Sequence, residues 1–91
     1  MSIDIIIADD HAILRSGIRK VLEFEDDFTV VAEATNGLEA IEKTLELEPD
    51  ILLLDINMPI KNGFETVTEL VNKKIDTKII ILTINNNENY V

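Results

Sequence analysis

Four short apolar runs, separated by segments of helical periodicity, constrain the fold of this chain more than any other feature. Ile3 to Ala8 is β-branched and nearly continuously apolar, the pattern of a strand buried on both faces. From Ala12 to Phe24 the residues Leu14, Ile18, Val21 and Leu22 fall at helical spacing, with Arg15, Arg19 and Lys20 between them and Asp10 as the expected cap. Phe28 to Ala32 reads as a second strand. Asn36 and Glu39 carry N-cap and capping-box chemistry for a second helix, with Leu38, Ile41 and Leu45 on one face and Pro49 as its stop. Ile51 to Leu54 is a third buried strand ending in Asp55. After a loop from Asn57 to Gly63 that contains Pro59, Asn62 caps a third helix bearing Phe64, Val67, Leu70 and Val71. Lys78 to Leu82 is the fourth run, closed by Thr83. Strands alternating with helices call for an α/β fold with a parallel sheet, right-handed crossovers and helices on its faces.

Ninety-one residues make at most one domain, and a hydrophobic fraction of 46% suffices for a single core. No cysteine is present, so no disulfide framework contributes. The longest uninterrupted apolar runs, such as Ile5 to Ala8 and Ile51 to Leu54, fall far below the roughly 20 residues a membrane span requires. The N-terminus has no basic region followed by a long apolar segment, so a secretory leader is not expected and a cytoplasmic location is. Eighteen acidic against eight basic residues give a net charge of −10, which repels a phosphate backbone; direct nucleic-acid binding by this segment is not expected.

In open parallel sheets ligands bind beyond the carboxyl ends of the strands. There the sequence places Asp9, Asp10, Asp55 and Thr83. Taken singly, these residues read as a helix cap and ordinary polar strand ends. Together they bring three carboxylates and a hydroxyl to one sheet edge, and three like charges in one crevice repel unless a cation sits among them. An oxygen-only set with room for water suits Mg²⁺, whereas zinc would want cysteine or a second histidine. His11, the only histidine, belongs to the first helical turn with no catalytic part expected. Lys61 reads as a solvated lysine, and Met58, Pro59 and Gly63 shape the loop beside Asp55.

The set Asp9-Asp10, Asp55 after its apolar run, Met58-Pro59, Gly63 and Thr83 resembles the receiver domain of two-component response regulators over essentially the whole chain. Ala8-Asp9-Asp10-His11 with Arg15 and Gly17 further resembles the NarL/FixJ subfamily, whose receivers usually precede a DNA-binding helix-turn-helix domain. The resemblance implies a flavodoxin-like (CheY-like) doubly wound sheet of strand order 2-1-3-4, with residues 1–91 forming one receiver domain and no output domain. It implies that Asp55 takes a phosphoryl group from a phosphohistidine on a sensor histidine kinase. Asp9, Asp10, Asp55 and the backbone carbonyl of Asn57 would hold Mg²⁺, and Thr83 would hydrogen-bond a phosphoryl oxygen. That chemistry is physically apt, because phosphoryl transfer needs positioning and charge neutralisation, and a carboxylate nucleophile needs no general base.

Receivers normally have a fifth strand ending in a lysine that pairs with the phosphate, and no lysine follows Thr83 here. The chain therefore reads as a receiver truncated after its fourth strand. It is expected to accept phosphate poorly and to associate as a dimer or oligomer through the fourth-strand edge. Two other classes compete. A metal-dependent phosphohydrolase of haloacid-dehalogenase type also uses an aspartate after an apolar strand, but typically has a second aspartate where this chain has Asn57. A receiver remnant serving only as an interaction module would need no phosphorylation.

Overall fold

The computed structural model describes residues 2–58 and 60–82. Thr83, Pro59 and the segment after Thr83 lie outside the described residues.

The expected alternation is present: β1 (Ile3–Ala8), α1 (Ala12–Glu23), β2 (Phe28–Ala34), α2 (Gly37–Leu47), β3 (Ile51–Asp55), α3 (Gly63–Asn72) and β4 (Lys78–Leu82). The strands form one parallel sheet in the order β2-β1-β3-β4, as the resemblance implied. Strand β1 sits at its centre, which is why Ile5, Ile6, Ile7 and Ala8 are all buried and the run shows no polar alternation. Burying side chains such as Ile6 and Leu52 contributes about 1.5–3 kcal/mol each.

The sheet divides the core into two layers. On one face Ile5, Ile7 and Leu53 meet Ile18 and Leu22 of α1. On the other, Ile6, Ala8, Leu52 and Leu54 meet Ala40 and Ile41 of α2 and Leu70 of α3. Strand β2 serves both layers, because its register with β1 slips between Ile5 and Ile6: Ile5 pairs with Val30, but Ile6 pairs with Ala32. This β-bulge leaves Val31 without a partner. Phe28 and Val30 accordingly join the α1 layer, whereas Ala32 and Ala34 join the α2–α3 layer.

Several sequence expectations are corrected. Strand β2 runs two residues further than Ala32, to Ala34, because Glu33 is held by arginines of α1 instead of ending the strand. Asp10 does not cap α1: the N-cap is His11, and Asp9 Oδ1 accepts its backbone N–H at 2.8 Å. The helix faces also differ. Val21, Leu38, Leu45, Phe64 and Val71 are exposed, while Gly37, Ala40, Ile41 and Thr44 of α2 and Gly63, Thr66 and Leu70 of α3 are buried. Small residues on the inner faces let the helices lie close, and the larger side chains flank the contact.

Asn36 caps α2 by accepting from Glu39 N, but Glu39 turns to the N–H and hydroxyl of Thr35, so no reciprocal box forms. Asn62 and Glu65 do form one at α3. No helix among the described residues is long and apolar enough to cross a membrane.

Candidate functional site

The parallel register fixes which residues meet at the carboxyl edge. Ala8 pairs with Leu54 and Asp55 pairs with Leu82, so the residues that leave β1 and those that close β3 and β4 emerge together. They border a cleft of about 470 Å³ lined by Asp9, His11, Ile13, Leu14, Asp55, Asn57 and Leu82.

Asp9 is the deepest member, with its side chain 1% exposed. Its backbone N–H still belongs to the sheet, donating to Ala34 O at 3.0 Å. Oδ1 accepts from the N–H of His11 at 2.8 Å and lies 3.0 Å from its Nδ1. Oδ2 is buried and has no hydrogen-bond partner among the described residues. A carboxylate oxygen desolvated without a donor is costly, and the cost is removed by a cation at that point.

Asp55 ends β3 with a side chain 14% exposed. Burial is the main cause raising its pKa above the usual aspartate value, and the charges of Asp9 and Asp10 push the same way. The N–H of Asn57, donated to Asp55 Oδ1 at 3.2 Å, and the nearby His11 oppose that shift. Asp10 is more open, and its Oδ1 also lies 3.0 Å from His11 Nδ1. Asp9, Asp10, His11 and Asp55 each offer one ligand atom, all within 4.8 Å of one another. The donor set fits a divalent ion: three carboxylates whose mutual repulsion it would relieve, one with an unpartnered buried oxygen.

The loop beyond Asp55 is held by Gly63, whose N–H donates to Ile56 O at 2.8 Å. A Cβ on Gly63 would lie 2.6 Å from Ile56 Cα and 3.0 Å from Asp55 O, so only glycine allows the loop to close this tightly against the strand end. Met58 is buried in the α2–α3 layer. Lys61 turns away from the cleft and pairs with Glu69 on α3.

Arg15, Glu33 and His11 acquire a place that spacing alone did not reveal. Arg15 reaches from α1 to donate to the backbone carbonyl of Asp9 at 2.5 Å, and its Nε donates to Glu33 Oε1 at 2.6 Å. Glu33 also accepts from Arg19, and the two guanidiniums, Arg19 first, hold its carboxyl below the usual glutamate value. His11, expected to be a bystander, stands among the three aspartates.

The response regulator receiver domain model matches residues 5–91. The chain belongs to the receiver family. Among relatives of this receiver, the transcriptional regulatory protein DegU of Brevibacillus brevis is 40% identical over 89 residues, covering 98% of this chain and 38% of that protein. The nitrate/nitrite response regulator NarL of Escherichia coli K12 is 42% identical over 84 residues, covering 92% and 39%. The signal receiver domain of the putative response regulator NarL from Mycobacterium tuberculosis superposes with a TM-score of 0.89 at 25% identity, covering 97% of this chain and 71% of that one. The receiver thus spans about two-fifths of the length of the curated relatives it matches. Its subfamily is NarL/FixJ-like and its fold CheY-like, and the match favours the receiver over the phosphohydrolase reading.

Proposed function

We propose that Asp55 accepts a phosphoryl group from a phosphohistidine of a sensor histidine kinase, with Mg²⁺ held by Asp9, Asp10, Asp55 and the backbone carbonyl of Asn57. The observation that carries this is that Asp55 lines the same cleft as Asp9, whose buried Oδ2 has no hydrogen-bond partner among the described residues. Bound Mg²⁺ would supply counter-charge for the aspartates and for the oxygens of the transferring group.

The chain's own residues do the rest. A carboxylate oxygen of Asp55 attacks phosphorus in line with the departing imidazole nitrogen of the donor. The phosphorus–nitrogen bond breaks, the electron pair leaves with the imidazole, and an acyl phosphate forms on Asp55. No proton has to be removed from the nucleophile. The Asn57 N–H on Asp55 Oδ1 fixes the carboxylate's rotation, and Gly63 keeps the following loop against the strand end. Thr83, which follows Leu82, is assigned a hydrogen bond to a phosphoryl oxygen.

The modification is stoichiometric and regulatory, without turnover of an external substrate. In the whole protein we assign residues 1–91 as one receiver domain, acting in the cytoplasm and governing a DNA-binding transcriptional output; the similarity to the transcriptional regulatory protein DegU and the response regulator NarL supports that class. Self-association through the β4 edge belongs to the same proposal, supported by the exposure of Ile80 and Ile81, and light scattering at micromolar concentration reads it directly.

Incubation with a small phosphodonor and Mg²⁺, followed by intact mass measurement, tests the acceptor. A gain of one phosphoryl group in a minor fraction of the chains, labile to hydroxylamine and absent in Asp55→Asn, is expected; efficient labelling would overturn the poor acceptance expected without the lysine while keeping the site. Labelling that persists in Asp55→Asn would move the site elsewhere.

A further inference from the structure

The cleft contains a nitrogen donor that phosphoryl transfer as described above leaves unused. His11 stands at the N-cap of α1 with its side chain 64% exposed. Its Nδ1 is 3.0 Å from Asp9 Oδ1, 3.0 Å from Asp10 Oδ1 and 4.0 Å from Asp55 Oδ2. An octahedral ion with bonds of about 2.1 Å separates neighbouring ligand atoms by about 3.0 Å and opposite ones by about 4.2 Å. The imidazole nitrogen is therefore spaced as a neighbour of the Asp9 and Asp10 oxygens and nearly as the opposite number of Asp55.

A second, independent observation concerns the other oxygen of the same Asp9 carboxylate. Asp9 Oδ2 is buried on a side chain 1% exposed and has no hydrogen-bond partner among the described residues, although Asp9 lines the cleft. Orphaned buried carboxylate oxygens are rare because they forfeit their hydration without return. The two more exposed members, Asp10 and His11, have the side-chain freedom to adjust around an ion without moving the sheet.

We propose that the cleft has a second coordination mode, in which His11 Nδ1 joins Asp9, Asp10 and Asp55 around a borderline transition ion such as Co²⁺ or Ni²⁺. This mode rests on the reading that the three aspartates hold a divalent ion, and goes beyond it in assigning the nitrogen. Imidazole adds little for Mg²⁺, a hard ion that favours oxygen and keeps several waters. It adds much for later first-row ions, whose affinity for nitrogen sites climbs towards copper. His11 thereby sets which ions compete with Mg²⁺ at the acceptor, and the open mouth of the cleft lets them exchange.

Calorimetric titration of the 91-residue chain with MgCl₂ and with CoCl₂ tests this in the unmodified protein, His11→Gln and Asp9→Asn. His11→Gln is expected to lower the ratio of Co²⁺ to Mg²⁺ affinity by about tenfold or more. Because His11 is the only histidine, its ring signals in proton NMR are identified without assignment, and Co²⁺ should shift them far outside the diamagnetic range. An unchanged affinity ratio, with ring signals that stay in place, overturns the nitrogen ligand. Loss of both ions' binding in Asp9→Asn is the result the aspartate site requires. Retention of both in that variant would instead sink the aspartate site itself, whatever His11 does.

Discussion

Arg15 holds the backbone carbonyl of Asp9 with one nitrogen of its guanidinium and the carboxylate of Glu33 with another. The deepest carboxylate of the cleft is thus braced from behind by a helix that contributes no aspartate of its own. Arg15→Met keeps the length of the side chain and removes both donations. We expect Mg²⁺ affinity to fall by about tenfold, the scale seen when an outer partner of a metal ligand is lost. Stability should drop by about 1–3 kcal/mol, since the Asp9 carbonyl loses a charged donor. Calorimetry and urea unfolding read the two effects separately. An affinity equal to that of the parent chain would show that the brace does not act on the Asp9 carboxylate.

Glu33 makes the same brace sensitive to acid. Its carboxyl is held below the ordinary glutamate value of 4.5 by Arg19 and Arg15. A group with a depressed folded-state pKa stabilises the fold fully above its unfolded value, and that stabilisation is lost as pH falls through the folded value. Glu33→Gln should therefore lower the urea midpoint at neutral pH. The gap from the parent chain should close as the pH is taken below 4.5. A gap that is constant from neutral to strongly acid conditions would mean that the ion pairs contribute nothing beyond packing.

Divalent ions should stabilise the folded chain by mass action. Mg²⁺ at 100 times its dissociation constant adds about 2.7 kcal/mol if it binds only the native state. The unfolding temperature should rise with Mg²⁺ and stop responding in Asp9→Asn. Without Mg²⁺, Asp9→Asn should be no less stable than the parent, because one of three crowded carboxylates has gone. Differential scanning calorimetry at two Mg²⁺ concentrations distinguishes these outcomes.

Gly37 opens α2, where an exposed alanine in glycine's place would gain up to about 1 kcal/mol of helix propensity. Here the sign reverses. A Cβ would lie 2.0 Å from the Lys61 carbonyl oxygen and 2.3 Å from Thr66 Oγ1. Gly37→Ala should therefore destabilise by about 1–3 kcal/mol in urea unfolding, as overpacked sites do.

The strand cores were legible in the sequence because β-branched runs buried on both faces leave little ambiguity, and the three aspartates were legible because parallel strands end at a common edge. The helix faces were not. Leu38, Leu45, Phe64 and Val71 look like core, yet Gly37, Ala40, Thr44 and Thr66 occupy the contact, since closeness of approach between elements is invisible to a count of apolar residues. The end of β2 was hidden by Glu33, whose arginine partners are 18 and 14 residues away. The place of His11 was hidden for a related reason: one step between first helical turn and N-cap brings its ring within reach of the aspartates.

The bulge at Val31 separates two quantities that usually travel together in a strand, its length and its parity. In a regular β2, residues 28, 30, 32 and 34 would all point the same way. The extra residue resets the count, so Phe28 and Val30 face one layer and Ala32 and Ala34 the other, which also turns Glu33 towards the arginines. Removing Val31 alone would leave every neighbour facing its present layer in a straighter strand. Removing any residue between Ala32 and Ala34 would instead shorten the run that leads to Asp9 through the Ala34 carbonyl. Position 31 is the spare letter of this strand, where evolution or an engineer can change its length without rewriting either half.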